Sequence, residues 1–318
     1  MKILITGGAG FIGSNFIRYI IKKYRSYQII NLDKLTYAGC RNNLKKVARH
    51  KNYEFVKADI CHDGVVEKLT ARCDAIVHFA AETHVDRSIK DGSEFVRTNV
   101  LGTHTLLQAA LKARVKRFVH ISTDEVYGSR ITGAFKEDDP LNPSSPYSAS
   151  KAGSDLLALS FFVTHHLPVM VTRSSNNFGP YQYPEKVIPL FVTNLIQNKK
   201  VPLYAKGENI RDWIFVEDHC RGIDLVLHKG SPGEIYNIGG DNYLTNLALT
   251  RTILNRMGKT EAMIQRVKDR PGHDFRYAID CAKIKRLGFL TQQPFEEALA
   301  LTIDWYKKNA SWWQKLKG

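Results

Sequence analysis

The run Thr6-Gly7-Gly8-Ala9-Gly10-Phe11-Ile12-Gly13 constrains this chain more than any other feature. It leaves a short strand pattern, Ile3 to Thr6, and opens a stretch, Phe11 to Tyr24, whose apolar residues recur three and four apart. Glycines in such a turn permit a tight reversal, let the backbone approach a pyrophosphate, and let the helix pack on the strand. The helix N-terminus then directs unpaired N–H groups at the phosphates. Asp33 closes the next strand pattern 20 residues after Gly13, where a carboxylate would hold the adenosine ribose hydroxyls and repel a ribose phosphate. Together they predict a dinucleotide site that takes NAD in preference to NADP.

Strand patterns continue at Gln28 to Leu32, Glu54 to Lys57, Ala75 to Phe79, Arg117 to Ser122 and Val169 to Arg173, separated by helical ones such as Glu94 to Ala113. That alternation predicts βαβ units and an α/β fold, a Rossmann-type doubly wound parallel sheet. After Asn176 the texture loosens, with Pro180, Pro184, Pro189 and Pro202 interrupting it and one short strand pattern at Glu234 to Ile238. We expect an NAD-binding domain over 1–175 and a smaller substrate-binding lobe over 176–318, some segments of which return to the first domain.

At 318 residues and 43% hydrophobic, the chain can bury a large core. No stretch approaches the roughly 18 apolar residues of a membrane span, and the first residues do not read as a secretory signal. Five scattered cysteines without a Cys-x-x-Cys pair argue against a disulfide framework or a zinc site, and predict a reducing cytoplasm. His84 and Asp86 lack further ligands nearby and are read as a hydrogen-bonded turn, so no metal is expected. The net charge of +15 is spread in small groups without a nucleic-acid motif, so it is read as a solvated basic surface.

Two patterns carry chemistry. Tyr147 and Lys151 are four apart, just inside a helix announced by Ser144, Ser145 and Pro146, and so share a face. Lowering a phenol's pKa by about 3 units takes roughly 4 kcal/mol. One ammonium about 4 Å away, at an effective dielectric of about 20, supplies roughly that, so Lys151 is expected to activate Tyr147. The second pattern, Thr123-Asp124-Glu125, follows a strand at the edge where α/β enzymes place ligands. Adjacent carboxyls can work as acid and base when their environments differ.

With these motifs, the segments Ala80-Ala81-Glu82-Thr83-His84-Val85-Asp86-Arg87-Ser88, Ser175-Asn176-Asn177, Pro184-Glu185-Lys186, Arg211-Asp212-Trp213, Val216-Glu217-Asp218-His219 and Asp269-Arg270-Pro271-Gly272-His273-Asp274 resemble the dTDP-glucose 4,6-dehydratase family of extended short-chain dehydrogenases/reductases. The resemblance runs nearly end to end. Hexose 4-epimerases lack the paired acids, and GDP-mannose dehydratases usually carry Thr-Ser-Glu. Departures are Thr83 for the usual Ser, Ser174 for Cys, Phe178 and Phe215 for Tyr, and Cys40 for Asn.

The resemblance implies a lyase that oxidises, dehydrates and reduces a nucleotide-diphosphate hexose, with NAD regenerated. Its catalytic residues would be Thr123, Asp124, Glu125, Tyr147 and Lys151. Gly7, Gly10, Phe11, Ile12, Gly13, Asp33, Lys34, Thr36, Asp59, Ile60, Ala80, Ala81, Thr98 and Asn177 would complete the NAD site. Thr83, Asn176, Glu185, Lys186, Pro202, Tyr204, Arg211, Asn246, Arg270 and His273 would hold the substrate, with Arg211 and Arg270 on phosphate. It also implies a homodimer through Glu94 to Ala113 and Pro146 to His166, with Leu106, Leu107, Leu156, Leu157 and Phe161 as the apolar face. A 4-epimerase or decarboxylase of the same fold, and a non-catalytic nucleotide sensor, are the rival readings; the sensor would have no use for Tyr147 and Lys151.

Overall fold

The computed structural model describes residues 1–269 and 271–317. Its first strands are β1 (Lys2–Thr6), β2 (Gln28–Asp33), β3 (Tyr53–Lys57), β4 (Ala75–His78), β5 (Arg117–Thr123) and β6 (Val169–Ser174). Later come β7 (Asn176–Phe178), β8 (Val201–Tyr204), β9 (Ile210–Phe215), β10 (Ile235–Ile238), β11 (Tyr243–Thr245) and β12 (Ile264–Val267). Seven of them form one parallel sheet in the order β10-β6-β5-β4-β1-β2-β3. The strand order reverses between β1 and β4, and a crevice opens at their carboxyl ends.

Both faces of this sheet are covered, which is why its strands read as nearly continuous apolar runs. Ile3 and Ile5 of β1 enter one core with Phe16, Ile17 and Ile20 of the helix Phe11–Lys23. Leu4 points the other way, into a second core with Ile30, Leu106, Leu107, Phe118 and Val169. Each such fully buried side chain contributes about 1.5–3 kcal/mol.

The strand Ile235–Ile238 joins the main sheet as an edge beside β6, so the chain re-enters the first layer after leaving it. Beyond the sheet lie a three-stranded sheet, β11-β9-β7, and the pair β12-β8.

The helix expected over Glu94 to Ala113 is not uniform. A π-helical segment, Val96–Gly102, separates Ser93–Phe95 from Thr103–Ala113. Asn99 within it accepts the Glu82 N–H at 2.8 Å and donates to the Glu82 carbonyl at 3.0 Å and the Ser150 hydroxyl at 2.8 Å. The added residue per turn turns Asn99 inward, a recurrent use of π segments near ligand sites.

The expected dimer face needs correction. Leu106, Leu107 and Phe161 are buried in the monomer's own second core, and Leu157 packs partly against it. Of the five, only Leu156 is well exposed, at 59%; Val96, Leu101 and Val163 are exposed on the same two helical segments. Helical spacing alone cannot separate a face that meets the chain's own sheet from one that meets solvent.

Where the first helix ends, Tyr24 and Tyr27 stack at 4.5 Å, and Tyr24 stacks on His228 at 5.0 Å. His228 pairs with Asp224 at 2.9 Å, and Lys23 bonds the same carboxylate at 2.6 Å. The Asp224 bond raises the His228 pKa above its ordinary value, against burial and the Lys23 charge. A group whose folded pKa is raised stabilises fully below its unfolded value, about 6.5, and loses that contribution as pH rises through the folded one. Melting of wild type and His228→Gln between about pH 5.5 and about pH 8.5 should therefore show a wild-type advantage that shrinks as pH rises; a pH-independent gap would contradict the pairing.

Candidate active site

A cleft of about 300 Å³ follows the crevice between β1 and β4 and reaches β5, β6 and the segment after β7. Its floor is the glycine turn. Gly7 has φ +71 and donates to the Leu32 carbonyl at 2.9 Å; a Cβ there would sit 2.5 Å from the Ala80 nitrogen. A Cβ on Gly13 would sit 2.5 Å from the Gly7 carbonyl oxygen. The following helix has no side-chain N-cap bond and no acid in its first turn, so the amide ends of Phe11, Ile12 and Gly13 are left for a ligand in the cleft they line. This bare cradle fits a dinucleotide pyrophosphate.

Asp33 is fixed from both sides, Oδ2 accepting the Ala9 N–H at 2.8 Å and Oδ1 the Leu35 N–H at 2.8 Å. Burial lifts its pKa, and the two amides pull against that. Asp59, also at this end, pairs with Lys34 at 3.0 Å and Arg97 at 2.9 Å. Burial opposes its charge, but the Cys61 amide and the two cations outweigh it and hold the pKa far below the usual range. Thr36, Ile60, Ala80, Ala81 and Thr98 line the same stretch.

The helix Pro146–His165 starts as its sequence suggests, with Pro146 in the first turn and a reciprocal Ser145–Ser148 capping box. It carries Tyr147 and Lys151 into the cleft, opposite Thr123, Asp124 and Glu125 at the end of β5. Thr123 Oγ1 accepts the Glu125 N–H and donates to Asp124 Oδ1, both at 3.3 Å. Asp124 is 3% exposed and its Oδ2 has no hydrogen-bond partner among the described residues, whereas Glu125 is half-buried. Burial raises the Asp124 pKa well above the usual range; Glu125 and Asp212 add to it, and Arg211 opposes.

Tyr147 and Lys151 are both shifted by burial. Burial, then the Glu125 charge, push Tyr147 well above an ordinary phenol, with the Thr123 hydroxyl acting the other way. Lys151 donates to the Ile121 carbonyl at 2.8 Å, and burial brings its pKa down to about 8, with Asp155 pulling it up.

The far wall is built by Ser174, Ser175, Asn176, Asn177, Gln182, Tyr183, Glu185 and Lys186. Asn176 Oδ1 is buried without a hydrogen-bond partner among the described residues. Glu185 gathers Tyr37 at 3.0 Å, His84 at 3.3 Å and Arg87 at 3.5 Å, and Lys186 donates to the Thr83 carbonyl at 3.0 Å. His84 also caps the helix Val85–Lys90, as a structural turn residue would. Among the described residues no cluster of three or more potential metal ligands occurs.

The remaining expected substrate residues that are described lie outside this cleft's lining. Pro202 and Tyr204 stand on β8, and His273 meets the Tyr204 ring at 5.8 Å and pairs with Asp269 at 2.6 Å. Arg211 is 5% exposed and donates to the carbonyls of Ile210, Asp274 and Phe275 at 2.8, 2.8 and 3.3 Å, beneath the Tyr277 ring. Those bonds occupy donors that the sequence reading assigned to phosphate. Asn246 opens the helix Asn246–Arg256 behind a Thr245 cap, and Arg270 lies outside the described residues. Sequence reasoning passed over Gln182 and Tyr183, at which only the bracketing prolines Pro180 and Pro184 hinted, and gave no role to Ser175 and Glu82 within the segments that carry the resemblance.

Residues 4–302 match the family model described as GDP-mannose 4,6 dehydratase. A dTDP-glucose 4,6-dehydratase of Streptomyces niveus is 53% identical over 100% of this chain and 96% of its own. The solved structure of DesIV, a dTDP-glucose 4,6-dehydratase from Streptomyces venezuelae with NAD bound, superposes with TM-score 0.98 at 52% identity, covering 99% of this chain and 100% of that one. That of the Bacillus anthracis dTDP-glucose 4,6-dehydratase, in complex with NAD, gives TM-score 0.94 at 50% identity over 99% of each chain. The chain therefore belongs to the GDP-mannose 4,6 dehydratase family, on the branch of the dTDP-glucose 4,6-dehydratases.

Proposed function

We propose that this chain is an NAD-dependent hydro-lyase that converts dTDP-glucose to dTDP-4-keto-6-deoxyglucose. The observation that carries the reading is the inequality of two adjacent carboxyls in one cleft: Asp124 is buried with its pKa pushed up, and Glu125 is half-open. NAD, when bound, supplies the oxidation at sugar carbon 4 and the later reduction at carbon 6. Tyr147 takes the proton of the carbon-4 hydroxyl, with Thr123 hydrogen-bonded to that oxygen. Burial and Glu125 raise the Tyr147 pKa in the protein alone, and the positive charges of Lys151 and of the bound cofactor act in the opposite direction. The ketone acidifies carbon 5, Glu125 removes that proton, and Asp124 protonates the departing carbon-6 hydroxyl. A 4-epimerase needs no such acid and base beside the tyrosine.

The NAD site is built mainly from residues 1–175 and the nucleotide end of the substrate site from the 176–318 lobe. Thr83, Asn176, Glu185 and Lys186 contact the sugar, and Pro202, Tyr204, Asn246, Arg270 and His273 the nucleotide, together with Arg211 through the donors that its carbonyl bonds leave. The active form is a homodimer joined through the helices that expose Val96, Leu101, Leu156 and Val163. The five free thiols suit a reducing cytoplasm, and no helix among the described residues is long and apolar enough to cross a membrane.

Three measurements test this reading. Glu125→Gln should lose carbon-5 proton exchange with heavy water by about two to four powers of ten, Asp124→Asn should keep exchange but slow water loss, and Tyr147→Phe should show neither. Wild-type exchange in Glu125→Gln would assign the base elsewhere. Calorimetry should give NAD at least about tenfold tighter binding than NADP, since a ribose phosphate would face Asp33; the reverse order would remove Asp33 from the ribose. Sedimentation should give a dimer that Leu156→Lys with Val163→Lys dissociates, and a concentration-independent wild-type monomer would reject it.

A further inference from the structure

The C-terminal helices Phe295–Lys308 and Ala310–Lys317 lie outside the cleft, yet they bond both of its walls. On one side the Trp312 indole N–H donates to Asn43 Oδ1 at 2.9 Å. Asn43, 3% exposed, donates through Nδ2 to the Ala9 carbonyl at 2.9 Å. The Ala9 N–H in turn donates to Asp33 Oδ2 at 2.8 Å. Three hydrogen bonds thus run from the last helix through the glycine turn to the carboxylate at the ribose position. The Cys40 N–H also donates to the Ala9 carbonyl at 3.0 Å, and Arg18 donates to the Asn43 carbonyl, so the asparagine has few alternative orientations.

On the other side the Tyr183 hydroxyl donates to the Leu316 carbonyl at 3.1 Å, and the Tyr306 hydroxyl donates to the Gln182 carbonyl. Both Gln182 and Tyr183 line the cleft. Between the walls, Tyr181 packs on Trp305 at 4.7 Å and Trp312 at 5.9 Å, with Arg18 over its ring at 4.0 Å. Asn15 closes the bracket by donating to the Pro180 carbonyl at 3.0 Å.

We propose that Trp312, acting through Asn43 and Ala9, is a positioning residue for the bound dinucleotide, and that the C-terminal helix sets how tightly the cofactor is retained. The inference rests on the reading of the glycine cleft as an NAD site. A turn built of glycines has little side-chain packing to hold its shape, so its geometry depends on hydrogen bonds to its few carbonyl and amide groups. Ala9 is held at both ends of its residue, by Asp33 and by Asn43. Loss of the indole N–H leaves a buried Asn43 oxygen without its partner and frees the amide to turn away from Ala9. A cofactor that is regenerated in each cycle benefits from slow release, and a support remote from the reacting atoms can supply that without entering the chemistry.

Trp312→Phe keeps an aromatic ring against Tyr181 and Trp305 while removing the donor and part of the indole's area, the loss of area being matched in the Trp313→Phe control. Trp313→Phe is the control: its N–H donates to the Tyr306 carbonyl at 2.8 Å, within the C-terminal pair, and its side chain is fully buried. NAD affinity by calorimetry and NAD retained through gel filtration are measured on purified full-length proteins, with melting temperatures alongside. Trp312→Phe should weaken NAD binding by about threefold to tenfold, the net worth of a hydrogen bond, while kcat at saturating NAD stays near wild type. Asn43→Ser should weaken it similarly, and the double variant should add little. Trp313→Phe should lower the melting temperature yet leave NAD affinity within about twofold. Wild-type affinity in Trp312→Phe, or equal weakening in Trp313→Phe, overturns the proposal. A wild-type chain that binds no NAD overturns the cofactor reading itself.

Discussion

The contact that organises this molecule is one of bare backbone: the glycine turn after β1 against the segment that leaves β4. The space a Cβ on Gly7 would need lies 2.5 Å from the Ala80 nitrogen. Only because the turn has no side chains there can β1 and β4 diverge into a crevice while their neighbouring residues remain paired, Thr6 beside His78. Everything placed around the cleft takes its position from that edge. The first helix starts from the turn, the second strand ends in Asp33 against Ala9, and β5 delivers its acids one strand further along.

Burial then decides the charge states. Desolvation raises Asp124 and Tyr147 and lowers Lys151 to about 8, so the proton inventory of the site differs from that of the same groups in water. A second set of buried polar groups lies beneath the helix that carries Tyr147. Asp155 accepts from Arg173 Nε at 2.9 Å, and His120 lies 3.3 Å from the same carboxylate. Removing one member of such a pair strands a buried charge, at a cost of about 3–5 kcal/mol. This pairing keeps a negative charge one helical turn from Lys151, where it favours the protonated form.

Much of this was legible beforehand. The six strand patterns of the first half, the glycine turn and the helix start at Ser145–Pro146 are local: each depends on the period of burial or on a backbone conformation that few residues adopt. Other features depend on what lies across the sheet. His78 reads as an oddity within an apolar strand, but its ring bonds Thr6 at 2.7 Å and Thr103 at 2.9 Å, linking the glycine strand to the helix that follows the π segment. The π segment itself was invisible, because one added residue barely disturbs a helical spacing. Leu106, Leu107 and Phe161 show an apolar face without showing which surface meets it.

The sequence by itself determined the fold class, the dinucleotide turn and the residue types that face one another across the cleft, because those follow from periodicity and from the chemistry of single motifs. Only the tertiary structure decided that β10 returns to the main sheet, that Asp124 and Glu125 sit in unequal surroundings, that Arg211 spends donors on carbonyls, and that Trp312 reaches the glycine turn from 303 residues downstream of Ala9. Those outcomes depend on desolvation and on partners distant in the chain, and neither quantity exists until the chain has folded around them.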